Sequence, residues 1–191
     1  MAQKQPFNYL TLFTLKKMKK TLLISLIPLL GLASCQSNKI SQKEPSIEWL
    51  SITEVQKKMK TNPKKVLIDF YAVWCGPCKK MTKYTFSDSD VVQYINENFY
   101  AVKFDAESKE DVLFLSKNYN NKGRTHEFAV TMGSTLKGLA YPTIVYFDEG
   151  LKKLQSIPGY YRAEEYLPIA KFFGDNHYKT QTYNQYLSQF E

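Results

Sequence analysis

An α/β fold, a central mixed sheet with helices on both faces, is what the sequence predicts, and three observations carry it. Residues 66–72 form a short apolar run rich in β-formers, broken only by Asp69, the pattern of a central strand covered on both sides. Cys75-Gly76-Pro77-Cys78 follows at once and opens a helix. Further on, β-forming residues 142–147 and 151–157 flank the turn cluster Asp148-Glu149-Gly150, which predicts a hairpin.

Each remaining element has its own signal. Pro77 suits a first helical turn, where a missing N–H is no loss, and Lys79, Lys80 and Met81 propagate that helix. A second helix starts around residues 87–90, whose polar side chains can cap it, and Val91, Ile95 and Phe99 repeat at four-residue spacing. Residues 100–105 read as the next strand. Ser108 with Asp111 resembles a capping pattern ahead of Val112, Leu115 and Tyr119, so a further helix is expected there. Residues 163–173 form an amphipathic helix whose start is blurred by Pro168. Tyr183, Tyr186, Leu187 and Phe190 have helical spacing and are expected to pack on the body.

The 191 residues, 43% hydrophobic and 23% charged, suit one globular domain and exclude a disordered or collagen-like chain. The net charge of +8 suggests nucleic acid until it is located. Lys4, Lys16, Lys17, Lys19 and Lys20 precede residue 35 and no acid does, leaving 21 bases against 18 acids in the remainder. That excess is too small and scattered to track phosphates, so no nucleic-acid partner is expected.

The asymmetry marks a targeting segment. Lys19-Lys20 precedes an apolar stretch over residues 21–33, too short to span a bilayer and interrupted by Pro28 and Gly31, as in an exported signal peptide. Leu32-Ala33-Ser34-Cys35 resembles the lipobox of bacterial lipoproteins. That resemblance implies cleavage before Cys35, lipid on its thiol, and a periplasm-facing position in the bacterial envelope. Residues 1–34 are therefore read as the signal, with Met18 a better start than Met1, residues 35–45 as a tether, and residues 46–191 as the folded domain.

Two residues separate Cys75 from Cys78. A loop that short staples little chain, so the pair suits opening and closing better than structural bracing. Structural zinc needs about four ligands, and besides these two thiols the chain offers only His126 and His177, far away and unpaired; haem attachment needs a histidine where Lys79 stands. A thiol at the first turn of a helix meets unpaired N–H groups, which favour thiolate. Cys75 is thus expected to be the exposed nucleophile and Cys78 the shielded resolving thiol.

The run from Val66 through Trp74-Cys75-Gly76-Pro77-Cys78-Lys79, with Tyr141-Pro142-Thr143 and Gly159, resembles the thioredoxin signature and its cis-proline segment. Lys83-Tyr84-Thr85-Phe86-Ser87-Asp88 is similar to the C-terminal thioredoxin-like domain of transmembrane thiol:disulfide interchange proteins. The resemblance covers residues 66–173. It implies a thioredoxin-like fold and an envelope dithiol-disulfide oxidoreductase that reduces disulfides of exported proteins, with a membrane thiol:disulfide electron donor, no cofactor beyond the cysteine pair, no metal, and a monomeric state. Asp69 becomes the buried carboxylate serving Cys78, with Trp74, Gly76, Pro77, Tyr141 and Pro142 forming the substrate-binding surface. The alternatives for single residues are a partner-satisfied strand end for Asp69, core packing for Trp74 and a trans strand-start proline for Pro142. An oxidase or isomerase and a copper-delivery module are the competing functions.

Two departures stand out. Where small thioredoxins place a lysine beside the buried acid, the strand register points to Ala101, with Lys103 two positions on. The connection over residues 105–142 is also about 15 residues longer than a helix and two loops require. That insert, roughly residues 117–140, is open between a lid, a recognition element and surface decoration, and His126 within it reads as a surface or packing residue.

Overall fold

A computed structural model of the chain describes residues 45–190. The signal segment, Cys35 and all but the last residue of the tether lie outside that range. Seven strands and six helices follow in order: β1 Trp49–Leu50, α1 Ile52–Met59, β2 Lys65–Tyr71, α2 Gly76–Lys80, α3 Ser89–Asn98, β3 Phe99–Asp105, β4 Val112–Phe114, β5 Lys117–Tyr119, α4 Glu127–Gly133, β6 Thr143–Phe147, β7 Lys153–Pro158, α5 Ala163–Gly174 and α6 Tyr183–Leu187. A π-helical turn, Met81–Thr85, extends α2.

The main sheet has the order β1-β3-β2-β6-β7, with β2 parallel to β3 and antiparallel to β6. Strand alternation sorts β2 between two cores. Leu67 joins Met81, Ile95, Tyr146, Tyr166 and Phe173 on the side of α3 and α5, whereas Val66, Ile68 and Phe70 join Phe104, Phe128 and Phe147 on the side of α1 and α4. Both faces are covered, as the unbroken apolar run of β2 requires.

The central strands, the hairpin of β6 and β7, and helices α2, α3 and α5 stand where the sequence places them. Asp88 caps α3 by accepting from the N–H groups of Asp90 and Val91, and α5 runs through Pro168 without stopping. No element was expected over residues 49–59, although Ser51 and Glu54 make a reciprocal capping box at the start of α1.

The helix expected over residues 112–119 is a β-hairpin. Its burial follows period two: Val112, Phe114 and Tyr119 point inward while Leu113 and Leu115 are exposed. Ser108 accepts a local bond from the Glu110 N–H at 3.2 Å rather than capping a helix. Leu115 and Ser116 then turn the chain through positive φ of 49° and 65°. The side chain of Gln56 on α1 holds the hairpin, donating to the Leu113 carbonyl at 2.8 Å and accepting from the Leu115 N–H at 3.0 Å. Tertiary pairing overrides a local helical pattern here.

The helix of this connection is α4, inside the insert. His126 caps it, with Nδ1 accepting the Phe128 N–H at 3.0 Å and Nε2 facing the Glu110 carbonyl at 2.9 Å. His126 is fully buried, so its packing reading holds and its surface reading does not. Phe128 sits among the rings of Phe70, Phe104, Phe114 and Tyr119, which makes the insert part of the core.

Candidate functional site

The C-terminal end of β2 delivers the cysteine pair. After Tyr71 the chain turns sharply, the Cys75 N–H donating to the Ala72 carbonyl at 3.0 Å, and Cys75 becomes the N-cap of α2. Its Sγ accepts the Cys78 N–H at 3.1 Å, satisfying one of the unpaired donors of the first turn. Gly76 and Pro77 occupy the first two helical positions, where proline's fixed φ fits and no N–H is lost. Cys75 and Cys78 are joined in a disulfide with Cα atoms 5.3 Å apart.

Exposure does not divide the two sulfurs as expected. Cys75 is 3% exposed and Cys78 5%, both packed with Ala72 and flanked by Tyr71 and Tyr141. What separates them is position: Cys75 lines the cleft and precedes the helix, while Cys78 lies one turn inside.

Trp74 is 58% exposed, which excludes core packing. The ring is nonetheless anchored. Its Nε1–H donates to Glu107 Oε2 at 3.0 Å, the Tyr141 ring meets it edge-on at 5.9 Å, and the Arg124 guanidinium lies 5.5 Å from its centre. Glu107 Oε1 also accepts from Arg124 Nε at 3.1 Å, so one carboxylate holds both groups.

The Tyr141–Pro142 bond is cis, and Pro142 is buried at the entrance to β6. Its carbonyl accepts the N–H of Gly159, a residue whose φ of 105° suits glycine. Trp74, Cys75, Gly76, Pro77 and Tyr141 form one wall of a cleft of about 760 Å³. A second wall is made by Glu107, Arg124, Thr125, Val130 and Leu139, all from the connection after β3. Sequence reading missed this second wall. The only signal for it was the excess length of a segment whose far end runs into Pro142.

Asp69 is buried on β2, the strand that leads to the cysteine pair, 2% exposed, and its Oδ1 has no hydrogen-bond partner among the described residues. The reading of a partner-satisfied strand end therefore fails. Burial pushes its carboxyl up to about 7, with Lys103 opposing the shift. The register expectation is also corrected: Ala101 pairs with Leu67, and Lys103 itself stands across from Asp69. Lys103 Nζ donates to Thr82 Oγ1 at 2.6 Å and lies over the rings of Trp49 and Tyr71.

Among the described residues no three His, Cys, Asp or Glu side chains come together as a metal site, and no helix is long and apolar enough to cross a membrane.

Comparison with known proteins agrees with this geometry. The thiol:disulfide interchange protein DsbD of Actinobacillus pleuropneumoniae is 32% identical over 120 residues, 61% of this chain and 18% of that protein. The chain thus spans about a fifth of the length of that relative. A solution structure from Bacteroides thetaiotaomicron, described as a candidate disulphide-isomerase, superposes with a TM-score of 0.52 at 25% identity, covering 73% of this chain and 99% of the other. A thioredoxin-fold protein from Helicobacter pylori gives a TM-score of 0.52 at 24% identity, covering 67% and 80%. A family model described as the thioredoxin-like domain matches residues 52–174, and the chain accordingly belongs to the thioredoxin-like domain family.

Proposed function

We propose that this protein is a bacterial envelope reductase, monomeric and anchored by lipid on Cys35, that reduces disulfides of exported proteins and is recharged by a membrane thiol:disulfide donor. The observation that carries this reading is the cysteine pair itself. Cys75 lines the cleft with Cys78 bonded to it from one turn inside α2, and a solvent-exposed aromatic stands beside Cys75. The strand that leads to them carries a buried acid whose Oδ1 has no hydrogen-bond partner among the described residues. Similarity to thiol:disulfide interchange proteins supports the direction of electron flow.

In the reduced protein the Cys75 thiolate attacks one sulfur of a substrate disulfide. A Cys75–substrate bond forms, the substrate bond breaks, and the departing thiolate takes a proton. Cys78 then loses its proton and attacks Cys75, closing Cys75–Cys78 and releasing the second substrate thiol. Two electrons pass from protein to substrate, with no further cofactor, and the two departing substrate thiolates take their protons from solvent. Asp69 accepts the Cys78 proton in this direction and returns it when the donor reopens the bond. Trp74, Gly76, Pro77, Tyr141 and Pro142 form the surface on which the substrate cysteine lies.

The oxidase or isomerase reading draws on the Bacteroides structure and its description. Copper delivery has less support, since both ring nitrogens of His126 are engaged, by the Glu110 carbonyl and the Phe128 N–H. The test is stoichiometric reduction of a disulfide peptide by the pre-reduced protein. Wild type transfers one disulfide equivalent and Cys75→Ser none; undiminished transfer by Cys75→Ser overturns the assignment.

A further inference from the structure

The segment between β3 and β6 places a cation at the cleft whose presence stability does not explain. Arg124 is 77% exposed and bonded to Glu107 through Nε alone; among the described residues its two terminal nitrogens take no hydrogen bond. An ion pair this open contributes little to folding. The backbone that carries it is nevertheless firmly held. Asn121 Nδ2 donates to the carbonyls of Glu107 and Ser108 at 3.1 and 2.8 Å, and Lys109 Nζ donates to the Gly123 carbonyl at 2.6 Å. The His126 N–H reaches the Ala106 carbonyl at 2.8 Å. Arg124 is thereby laid over the Trp74 ring, at the edge of the cleft that holds Cys75.

The lining leaves the cation of Arg124 without a second carboxylate to answer it. Among the described residues Glu107 is the only acid lining the cleft, and both of its oxygens are already occupied, by Arg124 and by the Trp74 indole. Lys79, Lys80 and Lys83 follow the cysteine pair, with no acid anywhere in residues 70–87, and Lys137 sits between the lining residues Ser134 and Gly138. A planar guanidinium with two unbonded terminal nitrogens matches a carboxylate in geometry as well as in charge.

We infer that Arg124 is a specificity-determining residue that selects cysteine-bearing segments with an aspartate or glutamate next to the reacting cysteine. The inference rests on the reductase reading above. Arg124 binds the acidic side chain, while Trp74, Val130 and Leu139 accept the apolar stem and backbone beside it. Selection of this kind acts on encounter and binding, so it falls mainly on KM and weakens with added salt.

The experiment uses the full chain, pre-reduced, with two symmetric disulfide dimers of a short peptide that differ only in Glu or Gln beside the cysteine, and with bis(2-hydroxyethyl) disulfide as a substrate lacking side chains. The readout is the ratio of kcat/KM for the Glu peptide over the Gln peptide, with circular dichroism confirming that each variant is folded. Wild type is expected to favour the Glu peptide about tenfold, the scale of one charge-assisted hydrogen bond. Arg124→Gln brings the ratio near one, and Arg124→Glu drives it below one. A wild-type ratio of one, or a preference that survives Arg124→Gln intact, overturns the inference. A wild type that fails to reduce even the small disulfide strikes the reductase reading instead.

Discussion

Asp69 and Lys103 face each other across the parallel register of β2 and β3, yet no hydrogen bond joins them: Lys103 Nζ is given to Thr82, and Asp69 Oδ1 is left without a partner among the described residues. A buried carboxyl so placed keeps its proton to about pH 7, because desolvation outweighs the pull of the nearby ammonium. That is the pH range in which a proton can be passed to and from a thiol.

Asp69→Asn tests this on two axes. The folded-state value of about 7 lies above the ordinary aspartate value of about 3.9, so across that window the unfolded chain releases a proton the folded chain keeps. Wild-type stability therefore falls as pH rises from about 4 to 7 and levels off above it, by a few kcal/mol in order of magnitude. The amide removes that slope, so the variant gains on wild type as pH rises. Disulfide reduction slows in the variant near neutral pH and loses the inflection that Asp69 gives wild type. Matching denaturant midpoints and pH–rate profiles across pH 4 to 8 would reduce Asp69 to a structural residue.

Much of this site was legible because it is written locally. The run from Val66 to Cys78 contains its strand, its turn, its helix start and its buried acid, each with a short-range signal. Pro142 was legible through the resemblance that Tyr141-Pro142-Thr143 carries. The hairpin β4–β5 was misread because Val112, Leu115 and Tyr119 match helical spacing by coincidence, while Gln56, which decides the matter, lies 57 residues from Leu113. The second cleft wall was invisible for the same reason. Trp74 and Glu107 meet across 33 positions, and Arg124 joins them from a further loop.

The thiols are assigned by position on α2. Cys78→Ala leaves Cys75 able to attack and nothing to resolve the adduct, so covalent partner complexes accumulate; Cys75→Ala yields none. Non-reducing gels with mass spectrometry of the trapped species read the outcome and identify the substrates. Equal trapping by both variants contradicts the assigned roles.

The insert is expected to behave as core. Phe128→Ala empties a fully buried site among four aromatic rings and should cost about 3–5 kcal/mol in denaturant unfolding. Leu136→Ala, at a fully exposed position of the same segment, should stay within about 0.5 kcal/mol of wild type. Similar small losses for both would return the segment to surface decoration.

Membrane anchoring makes a separate prediction. Replacing Cys35 by Ser should move the protein from the membrane to the soluble fraction. Retention equal to wild type removes the lipid from the proposal and leaves the cysteine chemistry intact.

Reductase, oxidase and isomerase share this fold and differ in the energy stored in the Cys75–Cys78 bond. Equilibration of the wild-type protein with glutathione buffers, followed by counting free thiols, measures that energy directly. A reductase is predicted to fall near the thioredoxin value of about −270 mV. A potential near about −120 mV, where the dithiol form is the favoured one, would contradict the reading and make the protein a donor of disulfides.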